Sequence, residues 1–280
     1  VTLPAAASNT GRVYSIKNID SDCDDITIDG NSTETIDGSE TYVLDSYNNV
    51  VRIISDGSNW FIINENTFAC AADFTCGTSD VTWTYNGGSV TYGTVLSSTG
   101  ECWMDRNLGA SQVATSSTDA NSYGDLFQWG RGDDGHQDRS SSTTSTNSNS
   151  PGHGDFITEG SSPYDWRSTQ DDNLWNGESA TNNPCPSGWR LPTQTEWEAE
   201  RTTDFTSNNA AGAFGSVLKL PLAGNRNRSN GSLHHVGTLG DYWSSAVSGT
   251  YARGLYFYSS TAGMDDNFRA DGCSVRCLKD

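Results

Sequence analysis

Residues 183–200 read NPCPSGWRLPTQTEWEAE and hold the clearest helix start in the chain. Thr193 and Glu196 fit a T-x-x-E capping box, in which each side chain satisfies the other's backbone N–H. Trp197 then packs in the first turn, and the helix is expected to run to about Arg201. Outward from this stretch the texture changes. Few Leu, 29 Gly and abundant Ser, Thr, Asn and Asp turns point to a β-rich or loop-rich chain, not a helical one.

Downstream, Leu255 and Phe257 share one strand face of Arg253–Tyr258, while Gly254, Tyr256 and Tyr258 share the other. Val275 and Cys277 are expected to face the core. Upstream, Thr82–Tyr85 and Val90–Tyr92 read as a hairpin about a Gly87-Gly88 turn. Residues 139–152 are a solvated Ser/Thr/Asn loop. Residues 11–63 are short strands punctuated by Asp29-Gly30, Asp37-Gly38 and Asp56-Gly57, and Asp-Gly is a strong hairpin signal because glycine accepts positive φ.

The charge balance is 16 Lys+Arg against 35 Asp+Glu, a net −19. A nucleic-acid partner needs clustered cations and is excluded on that ground. No window approaches 18 consecutive apolar residues, so no membrane insertion is expected. The opening Val1-Thr2-Leu3-Pro4-Ala5 has neither a charged n-region nor an apolar h-region and reads as a processed or trimmed end. Seven cysteines leave at least one outside an internal disulfide, and Cys70 with Cys76 is one local pairing the sequence leaves open. Asn31, Asn227 and Asn230 are sequons that matter only in a glycosylating host.

Six blocks in order carry a resemblance. They are ECWMDRNLGA (101–110), YGDLFQWGRGDDGH (123–136), NPCPSGWRLPTQTEWEAE (183–200), LKLPLAGNRN (218–227), DYWSSAVSGTYARGLYF (241–257) and SVRCLKD (274–280). Together they resemble the Fibrobacter succinogenes major paralogous domain, which is similar to the C-type-lectin and formylglycine-generating-enzyme fold. Domains of this kind also serve as variable proteins of diversity-generating retroelements. Residues 1–66 resemble small β-modules of phage tail fibres, often trimers.

The resemblance implies an α+β C-type-lectin-like domain over 81–280, preceded by a small all-β oligomerisation or attachment module over 1–66. Residues 67–80 become a linker or stapled loop. It implies pairing of Cys185 with Cys277, against the alternative of two buried thiols. It also implies a ligand-binding variable face. From 225 to 241 that face comprises Asn225, Asn227, Arg228, Asn230, His234, His235 and Asp241. From 251 to 258 it comprises Tyr251, Gly254, Tyr256 and Tyr258, and beyond them Asp265, Asp266, Asn267, Arg269, Asp271 and Cys273. These are exposed, adaptable residue types that recognition surfaces use. The family usually shows an aromatic in place of Cys273 and often Tyr in place of Gly254, so both departures fall on the proposed face.

The expected function is a ligand- or receptor-binding display protein on a virion, extracellular or cell surface. Its partner would be a target-cell macromolecule, protein or glycan, bound by a homotrimer. The alternative is a structural surface or appendage domain without a diversified site. A copper oxidase of the formylglycine-generating type would need Cys273 and Cys277 as thiolates. Their C-S-V-R-C spacing is one residue short of that family's, and a disulfide at Cys277 removes the site. No enzyme activity, catalytic residue, metal site or cofactor is therefore expected, although Asp133-Asp134-Gly135 and Asp171-Asp172-Asn173 offer oxygens to a structural calcium ion. Arg131-Gly132-Asp133 carries no weight as an integrin tripeptide.

Overall fold

Alternation of apolar and polar residues makes the first strands one-sided, and the computed structural model shows what they pack against. It describes residues 1–19, 25–45, 49–66 and 74–280. The chain divides into two units, Val1–Phe74 and Thr75–Asp280. In the first, β1 (Val13–Lys17), β2 (Ile26–Asp29), β3 (Thr41–Leu44), β4 (Val50–Ser55) and β5 (Trp60–Asn66) form a β1-β4-β5 sheet and a β2-β3 hairpin, all antiparallel. Ile28 and Leu44 of the hairpin meet Val51, Ile53 and Trp60 of the sheet in one core with Leu3, Ala6 and Ile36. Their neighbours Thr27, Asp29, Thr41 and Val43 point outward and are exposed. Gly57, at φ +97°, turns β4 into β5, and Asp56 accepts hydrogen bonds from the Ser58 and Asn59 N–H groups.

The second unit opens with β6 (Val81–Tyr85) and β7 (Gly88–Tyr92), joined at Asn86-Gly87, both at positive φ. The turn therefore lies one residue earlier than Gly87-Gly88. Short strands follow: β8 (Thr94–Leu96), β9 (Cys102–Met104), β10 (Phe127–Gln128), β11 (Thr143–Thr144), β12 (Phe156–Ile157) and β13 (Trp189–Arg190). Two helices come next, α1 (Gln194–Thr203) and α2 (Ala210–Gly215). The chain ends with β14 (Asn225–Arg226), β15 (Leu233–His234), β16 (Gly240–Ser248), β17 (Tyr251–Tyr258), β18 (Thr261–Phe268), β19 (Gly272–Cys273) and β20 (Leu278–Lys279). The Thr193/Glu196 capping box forms as the sequence indicates, and Trp197 is buried in the first turn of α1.

Strands make up 33% and helices 8% of the fold, with two α-helices among the described residues. The architecture is many small, mostly antiparallel sheets. It corrects the α+β C-type-lectin-like expectation: this unit is mostly β and is not that fold. The physical reason lies between the quoted blocks. Gly, Pro, Ser and Asn recur every few residues, so apolar runs at helical spacing are absent there and ten of this unit's fifteen strands are two or three residues long.

Side-chain hydrogen bonds hold such short elements in place. The indole N–H of Trp129 donates to the Ser244 carbonyl, that of Trp166 to Trp129, that of Trp197 to Trp243 and that of Trp243 to Phe127. All four rings are buried, so each supplies apolar area and fixes a loop at once. Disulfides join Cys185 to Cys277 and Cys76 to Cys102. The second ties residue 76 into the C-terminal unit; its suggested partner Cys70, and with it 67–73 of the linker, lies outside the described residues. These two disulfides among the described residues fit a compartment where disulfides persist. No helix among the described residues is long and apolar enough to cross a membrane.

Candidate ligand-binding face

The β16-β17-β18 sheet positions most of the candidate residues. Residues directly opposite in an antiparallel ladder share a face. Tyr242, Leu255, Phe257 and Ala262 therefore point together into a buried cluster with Trp197 and Leu278. The opposite face carries Asp241, Gly254, Tyr256, Tyr258, Gly263 and Asp265. Tyr256 and Tyr258 stack with centroids 6.0 Å apart and planes 21° apart, and Tyr258 is 40% exposed. Gly263 lies opposite Tyr256, and a Cβ there would come within 3.2 Å of the ring. The missing side chain at 263 lets the ring lie against the strand. The pair forms an aromatic platform with the exposed Asp265 on the same face.

Behind the platform the chain is closely packed. Asp241 is 4% exposed and accepts hydrogen bonds from the side-chain amides of Asn225 (3.1 Å) and Asn267 (2.7 Å). The Cys273 thiol is fully buried near Asp241. Burial, then the Asp241 and Asp271 charges, push that thiol well above its ordinary range. Burial likewise raises Asp241. A Cβ on Gly254 would meet the Tyr242 carbonyl oxygen at 2.9 Å and the Asn267 amide at 3.0 Å, so a tyrosine there requires Asn267 to move.

At the other end of the sheet the Arg228 guanidinium lies over the rings of Phe268 (4.0 Å) and Tyr164 (4.5 Å). Tyr251 packs on the same Phe268 at 5.0 Å. Asp271 accepts the Arg228 backbone N–H at 2.9 Å and faces its guanidinium at 3.7 Å. Asp266 pairs with Arg253, which also donates to Gln194 of α1. Asn227 and Asn230 turn their side-chain oxygens onto Ser229 and Ser232 and shape the loop locally. His234 pairs across β14-β15 with Asn225, and the exposed His235 sits at φ +57°.

Four residues depart from the exposed surface that the sequence suggests. Asp241, Gly254, Arg269 and Cys273 are buried. Arg269 donates to the Asp172 carboxylate at 2.6 Å and to the Asp171 and Gly249 carbonyls, and lies over the Trp129 ring. It is a post inside the fold. The segment that carries Arg269 and Cys273 is tied into the fold, with Gly272 paired to Gln128 and Arg226 and Ser274 bridged to Tyr242 of β16. Tyr164, Phe268 and Gly263 join the face without having been singled out. Alternation with Asn267 could have suggested Phe268, whereas nothing in the sequence places Tyr164 beside Arg228.

The remaining motifs are used structurally. Cys277 is bonded to Cys185 and Cys273 is buried, so the two sulfurs do not form a copper pair. Asp134 is held by Arg131 and His136, both at 2.7 Å, and Asp172 by Arg269. Among the described residues no group of three His, Cys, Asp or Glu side chains gathers as a metal site needs. Arg131 is 1% exposed and saturated by Asp134, Gln128 and two carbonyls, so the Arg-Gly-Asp tripeptide is not displayed. No protein-family model, curated protein or solved structure matches this chain.

Two half-buried acids make a pH prediction. Burial raises Asp271, and separately Asp125, from 3.8 to about 6. Between those values the folded state holds protons that the unfolded chain has released. Stability therefore falls as pH rises from about 4 through about 6 and is level above, by on the order of 2–3 kcal/mol per group. Melting of Asp271→Asn against pH is expected to show a shallower slope over that range than wild type, and an unchanged slope would exclude Asp271 as a contributor.

Proposed function

We propose that this chain is a ligand- or receptor-binding display protein whose contact surface is the face built on β16-β17-β18 and the 227–235 loop. The carrying observation is the division of labour in the C-terminal unit. Tyr256, Tyr258, Asp265, Asn230 and His235 project from a frame held by buried tryptophans, arginines and a disulfide that does not depend on them. Side chains free of packing duty can change without unfolding the protein. That is what a variable protein of a diversity-generating retroelement requires, and the six-block resemblance supports this reading. The buried Asp241, Cys273 and Arg269 belong to the frame in this proposal. Placement on a virion or other extracellular surface follows from the same resemblance and agrees with the disulfides. Three copies joined through the N-terminal module would turn weak single-site binding into avidity.

The experiment is binding of the full chain to an immobilised panel of surface glycans and cell-surface proteins. The panel member that binds is expected to lose about tenfold or more in affinity with Tyr256→Ala plus Tyr258→Ala, as aromatic anchors do, at an unchanged melting temperature. Affinity indifferent to both alanines would overturn the assignment of the face. Tyr251→Ala is expected to lower stability as well, because Tyr251 packs on Phe268.

A further inference from the structure

The N-terminal unit segregates its charge. It contains three cationic side chains, Arg12, Lys17 and Arg52, all on β1 or β4 or immediately before β1, while the Val1 ammonium donates to the Thr27 carbonyl of β2. All three are exposed, and none makes an ion pair among the described residues. Lys17 and Arg52 share the outer face of the β1-β4-β5 sheet with Val13 (42% exposed), Ile54 and Phe61 (42%), and Ile63 (49%) lies beside them at the β4-β5 register shift. The alternate positions on those strands, Val51 and Ile53 among them, point into the core, and among the described residues the outer face keeps Val13, Phe61 and Ile63 exposed.

The opposite outer face belongs to the β2-β3 hairpin. Thr27, Asp29, Thr41 and Val43 (43% exposed) point outward there, flanked by the exposed Asp25, Glu40 and Asp45. One side of this small unit is thus apolar with unpaired cations. The other is apolar at Val43 with a surplus of carboxylates that make no side-chain ion pair among the described residues. Two such surfaces on opposite sides of one body cannot satisfy each other within a copy, but each matches the other on a neighbour. Like charges would face each other in a contact of either surface with itself, which disfavours a two-fold dimer.

We propose that copies of this chain join head to tail through their N-terminal units, the outer face of β1-β4-β5 in one copy seating on the outer face of the β2-β3 hairpin in the next. A heterologous contact of this kind closes into a ring when its rotation permits, and three copies are the small closed ring. The proposal rests on the trimer reading above and names the surfaces that would build it. The occupant is a second copy because the hairpin supplies both the acids and the apolar centre that the sheet face lacks.

The test is the solution mass of the full chain by light scattering, in four versions. Wild type is expected at three times the 30.1 kDa chain mass. Lys17→Glu with Arg52→Glu is expected to dissociate, as is Asp29→Lys with Glu40→Lys, each weakening association by about a hundredfold through charge repulsion. All four changes in one chain swap the two faces and should restore the trimer. That recovery also excludes misfolding as the cause of dissociation, because all the substituted positions are exposed. A monomeric wild type overturns the trimer reading and the interface together. A wild-type trimer that persists in both paired variants overturns this interface alone, leaving the trimer reading standing. A wild-type dimer, or paired variants that dissociate without rescue, overturns the head-to-tail pairing.

Discussion

Cys185→Ser together with Cys277→Ser is expected to lower the unfolding free energy of the C-terminal unit by about 4–5 kcal/mol. The bond spans 92 residues, so reducing it returns a large loop to the unfolded ensemble. Its sulfurs also sit in the core among Trp189, Leu191 and Val275. Cys277 leads directly into β20, whose Leu278 pairs with Arg190 of β13 and with Trp103 of β9. The strand that closes this sheet is therefore anchored one residue from its start. Cys76–Cys102 closes a separation of only 26, so removing it is expected to cost about 1 kcal/mol less on loop entropy alone. Guanidinium unfolding followed by tryptophan fluorescence reports the right unit, since eight of the nine tryptophans lie in it. Equal losses for the two disulfides would mean that loop length does not set their contribution. A loss under about 1 kcal/mol for Cys185–Cys277 would mean that the unfolded chain is constrained by other means.

Local rules carried much of the reading. The Thr193/Glu196 box, the Asp56-Gly57 turn and the alternation of Leu255 with Tyr256 are decided by residues within four positions of one another, and they fold as read. The Cys185–Cys277 bond also forms as the resemblance implied. The fold class did not survive. Resemblance carried by buried tryptophans and arginines speaks of how loops are pinned, whereas strand and helix content is set by what lies between the blocks. The site was legible in part, for the same reason. Tyr256 and Tyr258 follow from period two. The burial of Asp241, Arg269 and Cys273 depends on partners 16 to 97 residues away, Asn225, Asn267 and Asp172 among them, and no window of sequence displays that. Residue type misled as well: Arg and Asp read as surface, yet five hydrogen-bond donors and two acceptor oxygens suit them equally to knit carbonyls and amides among short strands and loops.

Arg276 is the strongest case of that knitting, and replacing it by Met is expected to cost the C-terminal unit about 3–5 kcal/mol. The guanidinium is 1% exposed. It donates to the carbonyls of Met104 (3.1 Å) and Leu218 (2.9 Å), and twice to the Asn107 side-chain oxygen (3.2 and 2.9 Å). Asn107 in turn donates to the Tyr123 carbonyl and the Tyr242 hydroxyl. One side chain thus links the 104–107 turn, the 218 loop and the β16 strand beneath the candidate face. No carboxylate touches it among the described residues, so neutral dipoles alone hold the charge, and burial lowers its pKa to about 10. Met fills the volume of the stem but leaves two buried carbonyls and an amide oxygen without donors, which is the costly half of the exchange. Arg276→Lys keeps a charge yet offers a point donor in place of a planar fork, so it is expected to recover only part of the loss. Because Arg276 supports Tyr242 on the inner side of β16, Arg276→Lys should also weaken binding at the Tyr256/Tyr258 platform in proportion to its effect on stability. A variant that loses stability with full affinity would show that the platform is held by β17 and β18 alone.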